Sequence, residues 1–412
     1  MAAGKQQSFL DVTSEIGKLQ AVLLHKPGKE LEKLTPKHLT ELLFDDIPWL
    51  KKMRKEHDEF ADTLRQMGTT IYYVDDLLKQ VLENDEVKKL FIQEVLHGDQ
   101  IISPELNQAL FSYLAEKTPE EVAEIAVAGL YKKDLPDEKK PRTLADYVYR
   151  DRPQYINAIP NLYFMRDPAA VIGNGISINS MRTEARKREP MIIRYLYDYH
   201  PLFKKECSPM WYNCSMPHSI EGGDILVLSK EVIAIGSGER TSPYAIELIA
   251  KKLFADEHPL KEILVVHIPE IREFMHLDTV LTMIDRDKFT IYPGIRDKVH
   301  VYKLSRQGKD NFKVSAENNL IKSLKKSLKL PALDLIQTGG EDDVTAAREQ
   351  WNDGTNTLAI APGVVMTYSR NEVSNEALRK HGIDVVEIEG SELVRGRGGP
   401  RCMSMPLVRE KL

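Results

Sequence analysis

One pattern recurs along this chain and limits what it can fold into. From Gly222 an apolar strand (Ile225 to Leu228) meets a short polar turn and a second strand, Val232 to Gly236. Ser237 to Ser242 then reads as a helix start, Ala245 to Phe254 is apolar at helical spacing, and Ile263 to Ile268 is a third strand. The order is strand, strand, helix, strand. Leu358 to Ile388 repeats it: Leu358 to Ile360, a Pro362-Gly363 turn, Val364 to Tyr368, a helix around Asn375 to His381, and Asp384 to Ile388. Weaker copies begin near Leu19 (Ala21 to Leu24, helix Glu56 to Met67, strand Thr70 to Val74) and near Asn161. A further one begins near His276, with a hairpin to Tyr292, a helix from Glu317 to Leu328 and a strand from Leu333 to Gln337. The spacing drifts between about 55 and about 80 residues, so this is not a fixed-length repeat array. A ring of modules and a doubly wound α/β sheet both fit the pattern, which by itself leaves the choice open.

One stretch breaks the rhythm. Leu77 to Leu135 carries no strand signal and reads as helices, with Ser103-Pro104 and the Thr118-Pro119-Glu120-Glu121 capping box marking two starts. Pro136 to Arg142 is a charged, proline-containing linker that closes it. The expected division is a first module over 1–75, an inserted helical domain over 76–150, and the remaining modules with a C-terminal loop over 151–412.

The chain, 412 residues long and 42% apolar, can bury a large core. Its 57 basic and 62 acidic residues give a net charge of −5, so no global field draws it to nucleic acid or an anionic membrane. Met1 to Asp11 is polar, and no apolar run approaches the ~18 residues of a membrane span, which predicts a cytoplasmic protein. Cys207, Cys214 and Cys402 are too few and odd in number for a disulfide framework, so a cysteine that matters is expected to matter as a thiol.

The segment Arg395-Gly396-Arg397-Gly398-Gly399-Pro400-Arg401-Cys402-Met403-Ser404-Met405-Pro406 reads as a reactive loop. Three flanking arginines are expected to favour the Cys402 thiolate, which is the nucleophilic form, and three glycines to allow unusual backbone angles and close ligand approach. Asp167, Glu221, His276 with Asp278, and Cys402 lie at corresponding strand–loop junctions of different modules. Strand alternation is expected to set His276 and Asp278 on one face, with Leu277 opposite. Taken singly, each has an ordinary explanation: a satisfied surface pair for His276-Leu277-Asp278, a turn for Glu221-Gly222-Gly223-Asp224, a turn start for Asp167-Pro168. Together, a cysteine, a histidine and orienting carboxylates are the equipment of covalent catalysis. Cys207, Cys214 and His218 lack the tight spacing of a structural zinc site, and no phosphate-binding glycine loop opens a helix.

These segments, with Asn161 to Asp167, Met181-Arg182, Ala185-Arg186, Gly238-Glu239-Arg240, Met275 to Thr279, Asp353 to Asn356 and Tyr368 to Asn371, resemble the bacterial arginine deiminases, within the guanidine-modifying superfamily. The resemblance runs from Ser14 to Arg409. It implies a five-bladed pseudo-symmetric α/β propeller of ββαβ modules with an inserted helical domain, and hydrolysis of L-arginine to L-citrulline and ammonium without metal or organic cofactor. It implies that Cys402 attacks the guanidinium carbon, that His276 is the acid and base, that Glu221 orients His276, and that Asp167 and Asp278 clamp the guanidinium. Arg186, Arg240 and Arg397 are the implied partners of the α-carboxylate, with Asn161 and Phe164 lining the slot. No nucleic-acid or membrane partner is expected, and a homo-oligomer is. Three other readings stand beside this one: an amidino transferase using the same thiol, a dimethylarginine hydrolase, and a non-catalytic propeller that binds protein or RNA.

Overall fold

In each of five separate sheets the strand order is the same, an antiparallel pair followed by a parallel neighbour. The computed structural model describes residues 8–136, 143–148, 153–203, 207–255, 258–295, 298–309 and 311–412. The linker expected at 137–142 lies outside them.

The third sheet shows how the sequence produces the unit. Ile225–Ser229 and Val232–Ser237 pair antiparallel across a two-residue turn, the helix Pro243–Ala255 crosses over, and Glu262–His267 returns parallel to the second strand. Both strands of the hairpin are continuous apolar runs, Ile225 to Leu228 and Val232 to Ile235, because both faces are covered, the pattern that buried parallel strands require. The helix turns Ala245, Ile246, Ile249, Ala250, Leu253 and Phe254 inward, a single stripe at helical spacing. Burying a Leu, Ile or Phe of this kind contributes ~1.5–3 kcal/mol each.

The second sheet holds Ala169–Ile172, Gly175–Ile178 and Met210–Tyr212; the fourth holds Leu281–Met283, Lys288–Ile291 and Asp334–Gln337; the fifth holds Leu358–Ala361, Val364–Tyr368 and Asp384–Ile388. The first sheet is closed by the far end of the chain: Met405–Arg409 pairs antiparallel with Leu19–Leu24, which pairs parallel with Thr70–Tyr73. That pairing sets the loop carrying Cys402 immediately before a strand of the first sheet.

Two expectations are corrected. Glu317 does not start a helix: Phe312–Glu317 is a strand that forms a hairpin with His300–Arg306 and widens the third sheet to five strands, and the helix begins at Leu320. Phe312–Glu317 alternates apolar and polar residues with no fully buried position, an edge strand whose short pattern runs straight into the helix that follows. Leu77 to Leu135 is not purely helical either, since Leu130–Tyr131 pairs with Gln154–Ile156. Its helices are otherwise as read. Ser103 caps Pro104–Ala115, and Thr118 and Glu121 form the capping box of Pro119–Ala128. These helices share one apolar core with the first two sheets, Phe91, Ile92, Leu110 and Val122 joining Leu23, Ile172 and Ile176.

Candidate active site

Five short connections converge where the sheets' first strands begin. Asp167 precedes Ala169, Glu221 precedes Ile225, His276 and Asp278 precede Leu281, Asn356 precedes Leu358, and Cys402 precedes Met405. Each connection ends in a tight turn that aims a polar side chain at its neighbours. Gly222–Asp224 and Leu277–Thr279 are 3-10 turns, so His276 and Asp278 do not share one face of a strand as alternation predicted. His276 is the extended residue at the turn's start, and Asp278 lies inside the turn.

His276 Nε2 sits 2.8 Å from Glu221 Oε2, and His276 Nδ1 lies 3.7 Å from Asp167 Oδ1. All three side chains are buried. Burial pushes the imidazole pKa down, but the Asp167 and Glu221 carboxylates, with Asp224, outweigh it and hold the group up to about 9. Glu221 moves the other way, to about 2, because the hydrogen bond from His276 and the nearby Arg240 guanidinium overcome its burial. The backbone amide of Arg182 donates to Glu221 Oε1 at 2.9 Å and fixes the carboxylate plane. Gly223 makes the approach possible: a Cβ there would stand 2.7 Å from the imidazole ring.

The two proposed guanidinium clamps are held by the protein's own arginines. Arg186 Nη1 donates to Asp167 Oδ2 at 2.7 Å while its other nitrogens grip Glu189, and Gly223 N donates to Asp167 Oδ1 at 3.2 Å. Arg401 Nη1 donates to Asp278 Oδ2 at 2.6 Å and Arg401 Nε to Glu15 at 3.1 Å. Asp278 Oδ1 is buried and makes no hydrogen bond among the described residues.

The surroundings of Cys402 differ from the expected basic loop. Arg401 is turned to Glu15 and Asp278, Arg395 to Asp46 and Glu392, and Arg397 to the Trp351 ring and Asp45. Burial first, and then the carboxylates of Asp278, Asp167 and Asp353, push the Cys402 thiol pKa well up. The thiol is therefore neutral here, with Sγ 3.8 Å from Asp278 Oδ2 and its backbone amide bonded to Asn356 Oδ1 at 3.0 Å. The loop glycines serve close approach and not unusual angles. The positive φ, 63°, belongs to Arg397, while a Cβ on Gly398 would stand 2.1 Å from the Phe164 ring.

Asn161, Phe164, Asp167, Arg186, His276, Arg397 and Cys402 line one small cavity of about 10 Å³, roughly the space of one water. Glu221 stands behind His276, Arg240 lies 3.7 Å from Glu221 with Nε and Nη1 making no hydrogen bond among the described residues, and Asp278 reaches Cys402 from the side; none of these three faces the cavity. Leu43, Met275, Thr279 and Gly396 complete the lining; the last three lie in motifs read from sequence without a role of their own, and Leu43 was not singled out, since an apolar residue carries no chemical signal there. Asp167, Glu221 and His276 bring possible metal-ligand atoms within 4.8 Å of one another. Each is already engaged, by Arg186, Arg182 and the His276–Glu221 bond, so the arrangement reads as an ion-pair network.

The fold matches solved structures at low identity. One is an amidinotransferase from Microseira wollei in saxitoxin biosynthesis, covering 98% of both chains at 15% identity with a TM-score of 0.57. Another is the N-terminal domain of a cyanobacterial arginine dihydrolase, covering 95% of this chain and 99% of that one at 12% identity with a TM-score of 0.54. These define the class, a mixed α/β fold of that kind. The chain belongs to the arginine deiminase family: the family model described as arginine deiminase matches residues 40–409. Relatives named arginine deiminase include one from Bacillus cytotoxicus, 47% identical over 98% of this chain and 99% of its own length. Another, from Latilactobacillus sakei subsp. sakei, is 48% identical over the same shares.

Proposed function

We propose that the chain hydrolyses L-arginine to L-citrulline and ammonium through an amidino group carried on Cys402. The observation that carries this reading is the convergence of a buried thiol, an imidazole and the Asp167 carboxylate on one small cavity, with Glu221 behind His276 and Asp278 beside Cys402, in a member of this family.

The chemistry follows from the charges. A guanidinium is planar and cationic and pairs best with carboxylates in fixed geometry. Arginine entering between Asp167 and Asp278 takes over the pairing that Arg186 and Arg401 supply in its absence, and its positive charge offsets the carboxylates that hold the thiol protonated. The Cys402 proton passes to solvent, and the thiolate attacks the guanidinium carbon. The C–N bond breaks, the nitrogen takes the His276 proton, and ammonia leaves. His276, now neutral, removes a proton from water, hydroxide adds to the amidino carbon, and the C–S bond breaks to give citrulline as the hydroxyl proton returns to the sulfur. One water is consumed, and the proton given to solvent makes the ammonia ammonium. Glu221 keeps His276 oriented and protonated for the first step. Arg186, Arg240 and Arg397 are assigned to the α-carboxylate, with Asn161 and Phe164 as walls.

The proposal extends to the architecture: five ββαβ modules closed into a five-bladed propeller, with a first module over 1–75, a helical insert over 76–150 and the rest over 151–412. The shared strand order of the five sheets and the pairing of Met405–Arg409 with Leu19–Leu24 support it. A cytoplasmic homo-oligomer belongs to the same proposal, and no described helix is long and apolar enough to cross a membrane. Incubating purified protein with L-arginine must yield citrulline and ammonium in equal amounts. Transfer to an added amine in place of citrulline would favour the transferase reading instead.

A further inference from the structure

The end of the helix Asp343–Trp351 lies under the loop that carries Cys402. Trp351 is 44% exposed, and the guanidinium carbon of Arg397 sits 3.7 Å from the centroid of its ring. That is well inside the ~6 Å over which an aromatic face attracts a cation.

This end of the helix is anchored. Gln350 Nε2 donates to Thr279 O at 2.7 Å, and Gln350 Oε1 accepts from Thr355 Oγ1 at 3.3 Å. Glu349 accepts from the backbone amides of Val373 and Ser374 at 2.9 and 2.8 Å. A few residues on, Asn356 holds the Cys402 amide. One rigid segment, 349–356, therefore supports the loop at two points, with a ring under Arg397 and an amide under Cys402.

Arg397 is held in an unusual way. Its φ of 63° is left-handed, a region a residue with a side chain enters at a cost. Its Nε and Nη1 are buried and make no hydrogen bond among the described residues, and Asp45 lies 3.7 Å from Nη1, at ion-pair and not hydrogen-bond distance. A guanidinium gripped by its face keeps edge donors open for an incoming anion. Arg186, the other arginine on the cavity wall, is fully engaged by Asp167 and Glu189.

We propose that Trp351 is a positioning residue for substrate, a fixed aromatic platform that holds Arg397 at the cavity wall with donors free for the α-carboxylate of arginine. It acts through Arg397 and touches no reacting atom. The proposal rests on the assignment of Arg397 to that carboxylate.

The test is steady-state kinetics on Trp351→Leu, Trp351→Phe, Arg397→Ala and the Trp351→Leu/Arg397→Ala double variant, each checked for folding by thermal melting. Trp351→Leu is expected to raise KM for L-arginine about fivefold, equal to about 1 kcal/mol at ~1.4 kcal/mol per decade, with kcat within about twofold. Trp351→Phe should recover most of the loss. In the absence of the Arg397 side chain the leucine substitution should add nothing. Indole emission supplies a second readout. Titrating L-arginine into Cys402→Ser protein should change it, and Cys402→Ser/Trp351→Phe, which keeps Trp49 and Trp211, should lose the change. If Arg397→Ala raises KM and Trp351→Leu does not, the platform is wrong and the carboxylate assignment stands. If Arg397→Ala leaves KM unchanged, the assignment beneath it fails. An equal penalty from Trp351→Leu with and without Arg397 would overturn the proposal, as would a fall in kcat alone. Should Trp351→Leu fail to fold, the emission experiment on the phenylalanine variant decides.

Discussion

Replacing Glu221 by glutamine tests the electrostatics of the site at its most exposed assumption. Glu221 and His276 are both buried and 2.8 Å apart, and the imidazole is held up to about 9 from an ordinary 6.5. Glutamine keeps the shape and can still accept from the Arg182 amide, but it is neutral, and its amide N–H favours the unprotonated imidazole. A hydrogen bond between charged groups contributes ~1.5–3 kcal/mol, which at ~1.4 kcal/mol per tenfold is about one to two pH units. The alkaline limb of kcat/KM, which reports the free enzyme, should therefore lie near pH 9 in the wild type and about one to two units lower in Glu221→Gln. Stability carries the same sign. Because the folded pKa exceeds the unfolded one, His276 stabilises fully below about pH 6.5, and that contribution is lost as pH rises through about 9. Glu221→Gln should flatten the decline seen in melting temperatures across this window. A limb that stays in place while the rate drops uniformly would mean that Glu221 only orients the ring, and the argument from charge would be wrong.

Asp167→Asn and Asp278→Asn should each cut citrulline formation by at least a few hundredfold, since removing one member of a buried ion pair costs ~3–5 kcal/mol; turnover within tenfold of wild type in either variant rules out the clamp. Asp278→Asn should also lower the melting temperature, because it leaves buried Arg401 with Glu15 as its remaining carboxylate partner. Gly398→Ala should push the loop away from Phe164, whose ring would stand 2.1 Å from the new Cβ, and reduce kcat/KM about tenfold or more, in line with the ~1–3 kcal/mol of overpacking. An unchanged kcat/KM would show that the loop yields without affecting the cavity.

Much of this is legible in the sequence. The hairpin at Ile225 and its helix were legible because both strands are uninterrupted apolar runs bounded by turn residues. The edge hairpin 300–317 was not, because Phe312–Glu317 has no fully buried position, so its pairing is decided by the strand beside it. At the site, residue types and motifs named the polar side chains, whereas their present partners are tertiary facts. Nothing local in the sequence says that Arg401 is paired with Asp278 and with Glu15, the latter 386 residues distant. For the same reason the sequence points to a thiol activated by the loop's arginines, whereas burial, and then the carboxylates of Asp278, Asp167 and Asp353, push its pKa well up. Trp351 escaped notice because an aromatic residue at a helix end has no chemical signature until Arg397 is seen lying over it.

The central claim is that Cys402 carries the amidino group, and trapping it is the direct measurement. Wild-type protein mixed with L-arginine, quenched in acid within the first turnover and digested, should yield the Cys402 peptide heavier by the amidino adduct. Peptides containing Cys207 and Cys214 should be unmodified, and Cys402→Ser should give neither adduct nor measurable citrulline. Citrulline production by Cys402→Ser at near wild-type rate, or an adduct on Cys207 or Cys214 in place of Cys402, would contradict the account.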